Sequence, residues 1–92
     1  MNYFQLARDN NNSYSIDIGM ARDAVLKKCV ELGLVIIDIS EVIKDDLHVF
    51  NIQVDGVTKR NELRLMKLIG KCAKECGFDY RFRFPSFCEN CQ

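Results

Sequence analysis

The chain has no apolar run long enough to cross a bilayer. Its longest unbroken one is Leu34–Ile37, far short of the ~20 residues a spanning helix needs, and it reads as a buried strand. No basic stretch leads into an apolar block near the start, so no secretory signal is expected. Internal repeats, long linkers and a Gly-rich phosphate loop after a strand are absent. His48 is the single histidine; it falls on the same side of a strand as Phe50 and Ile52 and reads as a packed residue. No nucleophile has a base at useful spacing. Gly19, ahead of a helix, is one glycine and makes no anion loop. These absences together predict a protein that is not an enzyme and lies in the cytoplasm. Net charge is absent too, 13 Lys and Arg balancing 13 Asp and Glu.

What is present points to one small domain over residues 1–92, with a core at about 14–84 and a short tail at 85–92. The apolar share is 48% and the charged share 28%, ordinary for a folded chain of this size. Asn10-Asn11-Asn12-Ser13 reads as a turn, and residues 3–7 before it fit either a strand or a helical turn. Tyr14, Ile16 and Ile18 alternate with Ser15 and Asp17, predicting a strand. Met20 to Leu32 predicts a helix with Ala21, Ala24, Val25, Cys29 and Leu32 on one face, stopped by Gly33. Leu34 to Val42 is rich in β-branched residues and predicts a central strand. After the Lys44-Asp45-Asp46 turn, Leu47 to Val54 predicts another. Thr58 is placed to cap a second helix running to about Cys76, with Met66, Ile69, Ala73 and Cys76 on its apolar face beside Leu63, Leu65 and Cys72. Tyr80, Phe82 and Phe84 alternate with Arg81 and Arg83 in a last strand, which Pro85 ends.

The order β-α-β-β-α-β resembles the α+β, ferredoxin-like split βαβ: a four-stranded antiparallel sheet with two helices on one face. The expected inward set is Tyr14, Ile16, Ile18, Ile37, Ile39, Phe50, Ile52, Val54, Tyr80, Phe82 and Phe84. The expected open face is Ser15, Asp17, Asp38, Ser40, Asn51, Gln53, Arg81 and Arg83, polar and without an aromatic ring. An RNA-recognition motif shares this topology but stacks bases on aromatics of its central strands, so that module is excluded. A small acylphosphatase needs an arginine in a loop after the first strand. Arg22 falls inside the helix, which excludes that as well.

Charge is unevenly distributed. Residues 1–58 hold five basic and nine acidic side chains, whereas residues 59–83 hold eight basic and three acidic. In the second segment Arg60, Arg64, Lys67, Lys71 and Lys74 recur every three or four residues, on the helix face opposite the apolar one, with Lys59 at its start. Stacked like charges cost stability. The same residues read as a solvated face, as a face neutralised by the acidic half, or as a contact surface for phosphates or carboxylates. Asp38, Glu41, Asp45 and Asp46 around the hairpin read as solvated turn acids rather than a divalent-ion site.

Five cysteines in a chain without an export signal argue against a disulfide framework. Cys72, Cys76, Cys88 and Cys91 have enough thiols for a zinc site, but the last strand would carry Cys88 and Cys91 roughly 20 Å from the other two. Cys29, Cys72 and Cys76 otherwise fill the apolar faces of the helices. No metal and no cofactor is therefore expected.

The expected function is that of a small binding or inhibitor protein. Lys59, Arg60, Arg64, Lys67, Lys71 and Lys74, with Arg81 and Arg83 of the last strand, would dock on an anionic protein or ribonucleoprotein complex. In size and layout the chain is similar to regulators carried by phages and mobile elements, including inhibitors of CRISPR effectors. The alternatives are a protein that binds RNA or DNA alone, and a zinc-binding or ligand-sensing ferredoxin-like module that dimerises through sheet edges.

Overall fold

The computed structural model describes residues 2–9 and 17–84. Its elements are β1 (Asn2–Asp9), α1 (Ile18–Glu31), β2 (Val35–Lys44), β3 (Leu47–Asp55), α2 (Glu62–Glu75) and β4 (Asp79–Arg83). The four strands form one antiparallel sheet in the order β2-β3-β1-β4. This is the ferredoxin-like fold, with both helices on one face.

The first strand is not the one the sequence suggested. β1 is Asn2–Asp9, and its alternation buries Phe4, Leu6 and Arg8. Ile18, expected in a strand, opens α1 instead, while Tyr14, Ser15 and Ile16 lie outside the described residues. Asp17, expected on the open sheet face, is the α1 N-cap. Its carboxylate accepts from the Gly19 N–H at 3.0 Å and the Met20 N–H at 3.4 Å, satisfying two of the amides a helix start leaves open. The core therefore begins at residue 4 rather than about 14.

Phe4 and Leu6 of β1, Phe50, Ile52 and Val54 of β3, Ala21, Val25 and Cys29 of α1, and Leu65, Ile69 and Ala73 of α2 form the core with Leu34, Phe78 and Phe84. Each fully buried large side chain contributes about 1.5–3 kcal/mol. Phe84, just past β4, is buried; within β4 Phe82 is half-buried, and Tyr80 stays exposed although it shares that face, because β4 is an edge. The Tyr80 ring rests where α2 has Gly70, whose Cβ, if present, would meet it at 2.8 Å.

β2 also departs from expectation. It pairs only with β3 and is an edge strand, not a central one. A bulge at Ile37 separates the pairs Ile36–Val54 and Asp38–Gln53. The extra residue breaks the alternation, so Ile36 and Ile39, rather than Ile37 and Ile39, share the helix-side face. Ile37 and Ile39, expected inside, are both exposed. Asp45 takes the left-handed conformation in the two-residue turn to β3 (φ 54°), which aspartate tolerates.

α2 starts later than the Thr58 cap implied. Thr58 and Asn61 brace each other: the Thr58 N–H donates to Asn61 Oδ1 at 2.6 Å, and the Asn61 N–H to Thr58 Oγ1 at 3.2 Å. Lys59 and Arg60 thus sit in the turn leading into α2.

Candidate functional site

The core-facing line Leu65, Ile69 and Ala73 fixes how α2 is rotated. Arg64, Lys67, Lys71 and Lys74 consequently point away from the protein, and all four are exposed, as are Lys59 and Arg60. At 1.5 Å per residue, Arg64 to Lys74 spans about 15 Å. The ion pairs Arg22–Asp23, Lys28–Glu31 and Glu41–His48 do not draw on this row. On α2 itself the acids are Glu62 and Glu75, at its two ends; of the hairpin acids and their neighbours, Asp38 is on the open face, Glu41 is held by His48, and Asp45 and Asp46 are at the hairpin tip. The hairpin acids do not gather into one cluster.

The eight cationic residues singled out by the sequence do not share one surface. Arg81 and Arg83 pair across the sheet with Gln5 and Tyr3, on the open face, whereas the other six belong to the helix side. The open face carries Asp38, Ser40, Asn51 and Gln53 as expected, with Gln5 Nε2 donating to Asn51 Oδ1 at 2.7 Å. It also carries Tyr3, between Gln53 and Arg83 on the central strand β1. The expectation of a face without an aromatic ring fails here because that strand was sought in the wrong segment.

The uncovered edge at β2 escaped sequence reasoning. Val35, Ile37, Ile39, Val42 and Ile43 are between 39% and 58% exposed. Nothing in the chain pairs with the outer side of this strand among the described residues. On the helix side of the same edge, the Glu41 carboxylate meets His48 Nδ1 at 3.0 Å, and Arg22 lies over the Phe50 ring at 5.5 Å.

Arg8 was missed as well. It is buried at the far end of β1, where its Nη1 donates to the Cys76 carbonyl at 3.4 Å and its guanidinium lies 5.9 Å from the Phe78 ring centre. A cation there complements the open carbonyls at the C-terminal end of α2.

Burial disfavours the thiolate at Cys29 and Cys72. Burial pushes Cys29 up to about 12, helped by the neighbouring Cys72. Burial, and then Cys76, raises Cys72, whose thiol donates to the Ala24 carbonyl at 3.9 Å. Thiolate is the reactive form, so a neutral alkylating reagent at pH 8 is expected to leave Cys29 unlabelled in the folded protein and to label it once urea unfolds the chain. Mass spectrometry of the Cys29 peptide reads this; labelling at equal rates in both states would contradict the burial. Among the described residues no three His, Cys, Asp or Glu side chains are grouped to hold a metal ion. Cys88 and Cys91 of the four-cysteine zinc reading lie outside the described residues. No helix among the described residues is long and apolar enough to cross a membrane.

No protein-family model and no curated protein matches the sequence. Solved structures do. An ACT domain protein from Streptococcus pneumoniae superposes with a TM-score of 0.73 over 96% of this chain and 92% of that one, at 17% identity. A formyltetrahydrofolate deformylase from Pseudomonas putida KT2440 gives 0.64 at 9% identity, over 92% of this chain but 29% of its own. At these identities the likeness is one of fold.

Proposed function

We propose that the chain is a non-catalytic regulatory module that works as a pair, a second copy adding its β2 antiparallel to this one's to give a continuous eight-stranded sheet. The observation that carries this reading is the β2 edge. An edge strand that exposes five large aliphatic side chains is a template for another strand, and backbone pairing there would cover the apolar groups together with the open ladder. Ligand sensing at such a seam is open to the same pair: a second copy would lie beside Arg22, Glu41 and His48, polar groups on the helix side of this edge that suit a small charged ligand. The expected result is a dimer by sedimentation at micromolar concentration. Ile39→Lys with Ile43→Lys should convert it to a folded monomer, since charge on an edge blocks pairing. A monomeric parent protein, or a double variant that remains dimeric, would sink the reading.

A second reading is favoured by α2. Its outer row of cations, without counter-ions among the described residues, suits an anionic partner, as the sequence led us to expect.

A further inference from the structure

We infer that the outer face of α2 docks on the phosphate backbone of double-stranded nucleic acid, without reading its sequence. This deepens the second reading above by naming its partner, and it does not require pairing through β2.

Three features of the surface select that occupant. The first is segregation. The molecule is neutral overall, yet Lys59, Arg60, Arg64, Lys67, Lys71 and Lys74 lie along α2 and the turn before it, six cations against the two acids at the helix ends, Glu62 and Glu75, while the hairpin acids and Asp38 are held away. A neutral total therefore does not weaken the local field, which acts within roughly one Debye length, about 8–10 Å. The second is shape. The cations of α2 form a line of about 15 Å, with one charge every three or four residues at 1.5 Å each. A regular line of charge matches the regular line of phosphates along a duplex strand better than the irregular carboxylates of a protein patch.

The third is what the face lacks. Protein interfaces depend on buried apolar and aromatic anchors, and the only large apolar side chain that α2 leaves exposed is Leu63. Single strands are held by stacking bases on aromatic rings, and this face has none. Of the exposed rings of the sheet, Tyr3 is on the opposite side with Arg81 and Arg83, and Tyr80 lies under α2 against Gly70, not on its outer face. Contacts made by lysine and arginine to phosphate alone position a protein on a duplex and carry no sequence information.

The test is fluorescence anisotropy of the full chain with a random-sequence duplex of about 20 base pairs, titrated between about 50 mM and 200 mM salt. Four to five neutralised phosphates predict that log K falls against log salt with a slope of roughly −4. Arg64→Glu, Lys67→Glu and Lys71→Glu together should weaken binding on the order of 100-fold or more, with an unchanged circular dichroism spectrum. Arg81→Ala with Arg83→Ala should leave it unchanged. No binding at the lowest salt, or binding retained by the triple variant, overturns the proposal. So does tighter binding to the matching single strand, which would move the site to Tyr3, or equal competition by poly-glutamate, which would name an acidic protein instead. Sedimentation of the same samples separates the two readings. A monomer that still binds duplex overturns only the pairing through β2, and a dimer that does not bind overturns only this docking surface.

Discussion

Phe4→Ala is expected to lower the unfolding free energy by about 3–5 kcal/mol, a large share of the ~5–15 kcal/mol that holds a domain of this size together. Phe4 is fully buried. It faces Ile52 across β3 and Phe82 across β4, its ring 5.7 Å from that of Phe82. Both neighbours are in strands held by their own ladders, so they cannot collapse into the space left behind, and the cavity cost adds to the lost transfer energy. Ile37→Ala is the control. Ile37 was expected inside on its β-branched context, but it sits in the bulge and is 51% exposed, so in the monomeric Ile39→Lys, Ile43→Lys background its loss should cost no more than about 0.5 kcal/mol. Urea unfolding followed by circular dichroism measures both. If Ile37→Ala proved the costlier change, the assignment of β1 and of the bulge would both be wrong.

That pair of residues shows where sequence reasoning held and where it stopped. The helices and β3 were legible because each writes its burial as a period: Ala21, Val25 and Cys29; Leu65, Ile69 and Ala73; Phe50, Ile52 and Val54. β1 was not, although Phe4 and Leu6 alternate just as well with Gln5 and Ala7. Tyr14, Ile16 and Ile18 offered a competing alternation closer to the helix, and Asp17 looked like the polar face of a strand when it is the α1 cap. Propensity cannot arbitrate between two such segments, because what decides is which one the β3 ladder accepts. Placing the strand at 2–9 hid two consequential side chains, Tyr3 on the open face and Arg8 at the end of α2.

The candidate surfaces divide along the same line. The row on α2 was legible because it is the complement of the apolar row on the same helix; once Leu65, Ile69 and Ala73 face the core, Arg64, Lys67 and Lys71 have only solvent to face. The β2 edge was illegible for the opposite reason. Val35, Ile37, Ile39, Val42 and Ile43 announce a strand strongly, and an apolar strand reads as central. Whether it is central or an edge depends on the order β2-β3-β1-β4, which is a property of the whole sheet. Alternation placed Arg81 and Arg83 on the open face, where β4 does carry them; a docking surface that joins them to α2 would therefore have to reach both sides of the sheet.

Gly56→Ala is expected to cost about 2–6 kcal/mol, and the reason connects the fold to the basic surface. Gly56 follows β3 with φ 108°, a conformation that costs a residue with a Cβ about 1–3 kcal/mol. Its missing Cβ would also sit 3.2 Å from the Gly33 carbonyl oxygen and 3.3 Å from Leu34 Cδ2. The carbonyl belongs to the turn that ends α1, so it cannot swing aside as a side-chain tip would, and crowding of this kind adds about 1–3 kcal/mol. Gly33→Ala separates the two causes. Gly33 also has a positive φ, 91°, but a Cβ there would meet nothing within 4 Å, so it should show the backbone cost alone. The difference between the variants in thermal unfolding then measures the contact between the two turns. That contact bears on α2 directly, because the Gly56 carbonyl accepts from Asn61 Nδ2 at 3.0 Å, and Asn61 is the N-cap from which the helix and its row of cations are aimed. If Gly56→Ala cost no more than Gly33→Ala, the turns would be free to part, and the direction of α2 would have to be set by Leu65, Ile69 and Ala73 in the core alone.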